Sequence, residues 1–206
     1  MSNTTADIIV DATPEAKAAF FTELQTYVGL EIGAPTPAPD EINAPMIRHL
    51  AEAVGDKNPI YTNAELAKQS IHGGIVAPPT MLQAWVMNGI DGPSRTGDGP
   101  YEQMNQLLFS RGFTSVVGTN SEQTYNRYLQ PGDQLTMRTV IDSISDEKTT
   151  GLGTGHFVST RQDYYDAKNE LVGSMLFRIF RFQPKAKAPA AKPKPLRPRP
   201  ATTHDN

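Results

Sequence analysis

Apolar residues in the first part of the chain recur with the spacing of amphipathic helices. Thr13 followed by Pro14 offers a capping hydroxyl and a proline at the first helical position, which is a typical helix start. The helix predicted here ends near Gly29, and its apolar residues at spacings of three and four are Phe20, Phe21, Leu24, Tyr27 and Val28. A second helix of the same kind is predicted at 41–54, where a glycine follows.

The segment from Thr80 to Met87 differs because it is apolar on nearly all sides. A helix of that kind must be covered by other elements, so we predict that it is the buried helix of the domain, opened by Pro78 and Pro79. The glycine-rich stretch at 90–99 is predicted to be a surface loop, with a mobile lid as the alternative.

From Arg111 onward the pattern changes to that of strands. Four strands are predicted at 113–128, 135–141, 149–165 and 171–182, and Gly118 interrupts the first of them. Helices followed by a meander of four antiparallel strands give an α+β domain. We expect the sheet to wrap around the apolar segment at 80–87.

Composition limits the classes of function. The chain has 206 residues, no cysteine and four scattered histidines, so we predict neither a disulfide framework nor a metal site. His156 lies in a glycine-rich strand and is interpreted as a strand residue, not a catalyst. We find no apolar run of membrane-spanning length and no secretion signal, and we therefore expect no membrane association and a cytoplasmic location.

Charge and proline content divide the chain into three parts. Residues 184–200 hold six basic residues, six prolines and no acid. Removing these six bases and Asp205 from totals of 19 basic and 22 acidic residues leaves 13 and 21 in residues 1–183, so the body is acidic and nucleic-acid binding is not expected. We predict a disordered N-terminus at 1–13, one domain at 14–183 and a semi-rigid linker at 184–206.

Residues whose side chains could bind a ligand or take part in catalysis are concentrated between positions 51 and 79. The carboxylate of Asp56 follows a glycine and precedes an Asn-Pro pair, and an imidazole and two glycines form a second turn. The candidate binding residues are Asp56, Asn58, Tyr61, His72, Gly73 and Gly74. Each also has a structural interpretation, as a turn cap, a packed aromatic residue or a backbone position with positive φ.

These residues bear a family resemblance. GDKNPIY at 55–61, HGG at 72–74 and LQPGD at 129–133 resemble the MaoC-like hydratases of the hot-dog fold, in their degenerate N-terminal type. The resemblance covers residues 16–183. Within the degenerate type the chain is similar to the MaoC domain of the larger subunit of actinobacterial steroid side-chain enoyl-CoA hydratases. The resemblance implies a curved antiparallel sheet around a central helix, preceded by extra N-terminal helices.

The resemblance also implies that two chains form the enzyme, one of which is catalytic and one of which is not. Active members place a histidine five residues after the aspartate, and together these hold the water that adds to a 2-enoyl thioester. Here Tyr61 occupies that place, and a phenol with a pKa near ~10 cannot act as a base at neutral pH. The resemblance therefore implies an inactive, pocket-forming subunit of a hydratase, with Asp56 an uncertain contributor, a CoA thioester as ligand, no cofactor, and a catalytic MaoC-like partner.

Two other hypotheses remain open at this point. The chain could be a self-sufficient hydratase or dehydratase that uses Asp56 with His72. It could instead be a non-enzymatic acyl-CoA-binding module, since its last residues resemble the lead-in to a zinc-ribbon/OB-fold domain that would recruit a thiolase-like aldolase. The acyl group, steroid or long-chain fatty, and a two-plus-two stoichiometry rest on the resemblance alone.

Overall fold

A computed structural model describes residues 13–89 and 98–185. The helices in these ranges are α1 (Pro14–Gln25), α2 (Ala44–Val54), α3 (Pro59–Thr62), α4 (Ala64–Gln69) and α5 (Pro100–Ser110). The strands are β1 (Thr36–Pro37), β2 (Ser115–Tyr125), β3 (Thr136–Ile144), β4 (Lys148–Thr149), β5 (Gly153–Tyr165) and β6 (Leu171–Pro184). The predicted α+β class is confirmed.

The first two helices begin at side-chain caps. Thr13 Oγ1 accepts a hydrogen bond from the Ala16 N–H at 3.2 Å, which confirms the predicted start of α1. Asn43 Oδ1 accepts one from the Met46 N–H at 3.0 Å, so α2 begins later than the predicted residue 41. Gly55, with φ of 71°, ends α2 in the left-handed conformation.

The strands form one antiparallel sheet in the order β1-β3-β5-β6-β2, with β4 paired to β5. The predicted four-strand meander is wrong for its first member, because β2 pairs with β6 at the far edge and only β3, β5 and β6 follow one another. Alternation of apolar and polar residues predicts a strand but not the strand with which it pairs. The end of β2 is fixed by Asn126, whose side-chain N–H donates to the Leu171 carbonyl at 2.9 Å. The predicted interruption at Gly118 is confirmed as a shift of register.

The prediction of a helix covered on nearly all sides at 80–87 is wrong. Only Met81, Leu82, Trp85 and Val86 are buried, and the other four residues of the segment are exposed. The segment forms two 3₁₀ turns, Pro79–Met81 and Ala84–Val86, whose N–H groups bond three residues back. A segment this short follows its packing more than its helix propensity. Helix α5 packs on the sheet in a different apolar cluster from these turns. The sequence analysis did not assign α5, although Pro100, Met104 and Leu108 have helical spacing.

Two apolar clusters form the core. One joins α2, α3 and the 3₁₀ turns to the sheet and includes Tyr61, Trp85 and Tyr164. The other joins α1 and α5 to the sheet. Its buried members are Phe20, Leu24, Met104, Leu108, Phe113, Ile141, Ile144, Val158 and Ile179.

His156 is a strand residue, as predicted, and it is buried beside the second cluster. Its Nδ1–H donates to the Ser145 carbonyl at 2.8 Å, and the rings of Phe113 and Phe20 lie 5.0 and 5.7 Å away. Burial lowers the pKa of His156, against a smaller opposing effect of the Ser145 carbonyl.

Because the His156 imidazole is buried, we predict that the folded protein loses stability in mild acid. Because the folded-state pKa lies below the unfolded value of about 6.5, the unfolded chain binds the proton first. The contribution of His156 is complete above that pH and is lost as pH falls through the folded pKa, with a slope of at most about 1.4 kcal/mol per pH unit. Urea unfolding between pH 8 and pH 5 should show this dependence of the free energy of unfolding on pH. The slope should be reduced in H156L and retained in H49Q, which changes the exposed His49. Equal slopes in the wild type and H156L would contradict it.

Several predictions concern residues outside the described ranges. They are the disordered N-terminus at 1–13, apart from Thr13, most of the loop at 90–99, and the linker from 186 onward. In the part of the chain that the structure describes, no helix has the length and apolar character needed to cross a membrane.

Candidate functional site

Asp56 and Asn58 lie where α2 turns into α3. The Asp56 Oδ1 accepts a hydrogen bond from the Asn58 N–H at 2.9 Å, and the Asn58 Oδ1 accepts one from the Ile60 N–H at 3.3 Å. Both side chains are exposed, and these bonds are the local caps expected of Asp and Asn before a proline. The structural interpretation of the two residues is therefore supported, while the Asp56 carboxylate still faces solvent.

Tyr61 is held in the core beside this turn. It lies on α3 with 9% of its surface exposed and belongs to the first apolar cluster. Burial raises the pKa of the Tyr61 phenol, and nearby Tyr128 and Asp56 raise it further. The phenol therefore remains protonated at neutral pH and can donate a hydrogen bond but cannot take a proton.

The turn at 72–74 lies beside α3. Gly73 has φ of 68°, so this turn favours glycine. The Gly73 N–H donates to the Ser70 carbonyl at 3.1 Å, and the Val76 N–H donates to the Ile60 carbonyl at 3.3 Å, next to Tyr61. Within the described residues, the N–H of Gly74 donates to no acceptor. The free backbone donor of the turn is thus Gly74, not Gly73.

Two residues that the sequence analysis did not select complete the site. The ring of Tyr128 lies 4.5 Å from the imidazole of His72, centroid to centroid, and Gln130 Nε2 donates to the His72 carbonyl at 2.8 Å. Tyr128 also acts on the pKa of Tyr61. Tyr128 precedes the LQPGD segment and Gln130 lies inside it, so that motif was the available signal.

The arrangement does not supply a catalytic pair by direct contact. Across residues 13–89 and 98–185, no hydrogen bond joins Asp56 to His72, and the recorded contact of the His72 ring is with Tyr128. No group of three or more His, Asp or Glu side chains in these ranges is placed to hold a metal ion. What the site offers is a surface of hydrogen-bond donors and aromatic rings.

Two clefts lie away from the six candidate residues. One, of about 210 Å³, is lined by residues of α1 together with His156. The other, of about 310 Å³, is lined by Arg127, Asp133 and Asp166. The candidate residues line neither of these clefts.

Comparison with known proteins gives consistent matches. Residues 27–175 match the family model described as FAS1-like, dehydratase domain region. The chain is 42% identical over 186 residues to a protein of Thermomonospora curvata named "Probable enoyl-CoA hydratase alpha subunit", covering 89% of this chain and 58% of that protein. It is 39% identical over 175 residues to the 3-oxo-4,17-pregnadiene-20-carboxyl-CoA hydratase alpha subunit of Mycobacterium tuberculosis, covering 83% and 55%. The chain thus spans little more than half the length of these curated relatives.

Solved structures agree with these matches. A chain in the crystal structure of the ChsH1-ChsH2 complex from Mycobacterium tuberculosis has a TM-score of 0.71 and 35% identity, covering 89% of this chain and 100% of that one. A MaoC-like dehydratase, at 20% identity and a TM-score of 0.54, shares the fold. The predicted hot-dog fold is confirmed, and the chain belongs to the family of FAS1-like and MaoC-like hot-dog dehydratase domains.

Proposed function

We propose that this chain is the non-catalytic, pocket-forming subunit of a heteromeric enoyl-CoA hydratase, and that a second MaoC-like chain supplies the Asp/His pair. The observation that carries the proposal is Tyr61, a buried phenol at the place where the resemblance puts the histidine of active members. Adding water to a 2-enoyl thioester needs a base that can take a proton near pH 7. A phenol whose pKa is raised by burial does not meet that requirement.

The carboxylate of Asp56 is poorly placed to act as the base instead of a histidine. The Asp56 carboxylate is exposed and caps the Asn58 N–H, and it makes no hydrogen bond to His72 within the described residues. This weakens the hypothesis of a self-sufficient hydratase built on Asp56 and His72. We propose that the candidate residues bind the ligand without catalysing its hydration; they are Asp56, Asn58, Tyr61, His72, Gly73 and Gly74.

One edge of the sheet is suited to pairing with the partner. β2 has 11 residues, pairs only with β6 among the described strands, and exposes Val116 and Tyr125. The opposite edge is the two-residue strand β1, which contains a proline. A long open edge with exposed apolar side chains is a template for pairing with another chain. That a similar chain was solved as part of the ChsH1-ChsH2 complex supports such a partner.

The substrate class is proposed from the relatives. The name of the Mycobacterium tuberculosis alpha subunit specifies a steroid carboxyl-CoA, and we extend this class, a bulky steroid side-chain enoyl-CoA of sterol degradation, to the present chain. A long-chain fatty enoyl-CoA is the competing acyl group. A two-plus-two assembly, a cytoplasmic location and a thiolase-like aldolase as a further partner complete the proposal.

Association through β2 gives the test of this arrangement. We expect V116K to raise the dissociation constant for the MaoC-like partner at least about tenfold, because a charged side chain on an edge strand blocks strand pairing. The matched control is V54K, which places the same charge on an exposed valine of α2. Co-purification followed by mass measurement reports the effect. Equal complex formation by V116K and the wild type would place the interface elsewhere.

A further inference from the structure

Two strands of the sheet carry the same short motif, a glutamine followed two residues later by a tyrosine. The motif is QTY at 123–125 in β2 and QDY at 162–164 in β5. Both strands pair antiparallel with β6, one on each side of it, so they run parallel to each other. Met175 of β6 is the register partner of both glutamines, and Gly173 is that of both tyrosines. The two motifs therefore lie at the same level of the sheet.

The motifs lie on the face of the sheet that packs against the first apolar cluster. Residues two apart on a strand share a face, and so do cross-strand partners. Met175 and Tyr164 are buried members of that cluster, which also contains Tyr61 of the candidate site. The two glutamines are only half-buried. Their amides therefore lie at the margin of the apolar core that holds Tyr61.

In each motif the tyrosine hydroxyl determines which way the amide faces. The Tyr164 hydroxyl donates to Gln162 Oε1 at 2.8 Å, and the Tyr125 hydroxyl donates to Gln123 Oε1. Burial raises the pKa of the Tyr164 phenol, so this hydroxyl remains a donor at neutral pH. Because the amide oxygen is bound to the hydroxyl, the amide nitrogen is the group that remains to bind a further partner.

The two amide nitrogens differ in what they bind. Gln123 Nε2 donates to Met175 Sδ at 3.4 Å, and a thioether is a weak acceptor. Gln162 Nε2 donates to no acceptor among residues 13–89 and 98–185. A donor beside an apolar core is costly to leave without a partner once a ligand displaces its water. Gln162 thus presents an oriented donor that suits an acceptor oxygen on an otherwise apolar ligand.

We propose that Gln162, oriented by Tyr164, is a specificity-determining residue that donates its amide N–H to a carbonyl oxygen of the acyl group other than the thioester carbonyl. The proposal rests on the proposed function, since it selects among the acyl groups of a CoA thioester. A steroid ketone supplies such an acceptor, whereas an unsubstituted fatty chain leaves the amide unpaired. The residue therefore favours a keto-steroid over a long-chain fatty acyl group.

The test uses two saturated steroid carboxyl-CoA thioesters that differ only in one ketone on the ring system. A saturated thioester binds without being hydrated, so titration calorimetry on the proposed complex measures binding alone. We expect the dissociation constant of the ketone to be about tenfold lower than that of its counterpart. In Q162M, which keeps the length of the side chain but removes the donor, the ratio should fall to about one. In Y164F, which keeps the donor but loses its orientation, the ratio should be intermediate.

Two further variants serve as controls. Q183M makes the same substitution at an exposed glutamine of β6 and should leave the ratio unchanged. Q123M should lower the ratio less than Q162M, because the Gln123 amide is bound to Met175. A ratio of about one in the wild type, a wild-type ratio in Q162M or an equal loss in Q183M would overturn the proposal.

Hydration of crotonyl-CoA by the same complex tests the proposed function separately. Hydration without a preference for the ketone would overturn the role of Gln162 alone. A preference for the ketone that Q162M abolishes, in a complex without hydration, would overturn the proposed function and support the role of Gln162. Failure of both steroid thioesters to bind would overturn the role of Gln162, whatever the rate with crotonyl-CoA.

Discussion

Hydration of a 2-enoyl-CoA by the proposed complex should fall by about 10² to 10⁴ when the proposed partner loses its general-base histidine, and by less than about tenfold when this chain loses Asp56. The reason is that Asp56 caps the Asn58 N–H and lies beside a phenol that cannot take a proton. Steady-state rates of the two complexes measure the contrast.

The control for this comparison separates charge from turn structure. D56N keeps an oxygen that can accept the Asn58 N–H, so it should perturb the turn less than D56A. A loss of three orders of magnitude in both D56N and D56A would place the catalyst in this chain. A loss confined to D56A would indicate that the turn, not the charge, matters.

L108A should lower the free energy of unfolding by about 2–5 kcal/mol, the usual cost of removing a fully buried leucine side chain. Leu108 is 0% exposed in α5 and packs in the cluster that joins α1 and α5 to the sheet. The exposed Gln106, in the same helix, provides the control, and Q106A should change stability by no more than about 0.5 kcal/mol. Equilibrium urea unfolding measures both variants. A cost below about 1 kcal/mol for L108A would mean that α5 is not part of the core.

The sequence correctly predicted the helices and strands whose ends are determined by residues inside or next to them. Thr13 and Gly55 mark helix ends because each supplies a cap through its own chemistry. The strand at 171–182 was predicted because its apolar residues and flanking turn are contiguous, and it is observed as Leu171–Pro184. In these cases the determining contacts lie within a few residues.

The predictions were wrong where contacts between residues far apart in the sequence determine the structure. The place of β2 beside β6 depends on pairs of residues that are far apart in the sequence, from Tyr125 with Gly173 to Ser115 with Phe182, and alternation alone does not encode them. The segment at 80–87 became two 3₁₀ turns because its neighbours, not its periodicity, determine its shape. Tyr128 and Gln130 were missed as site residues for the same reason, since only the folded chain brings them to His72.

The turnover of an unsaturated CoA thioester by the purified chain alone tests the central claim most directly. Steroid side-chain enoyl-CoA and crotonyl-CoA are supplied to this chain, to the MaoC-like partner and to their mixture. We expect hydration by the mixture and no hydration above background by this chain alone. The reason is that the resemblance aligns Tyr61, whose pKa is raised by burial, with the histidine of active members. Hydration by the isolated chain at the rate of the mixture would contradict the account.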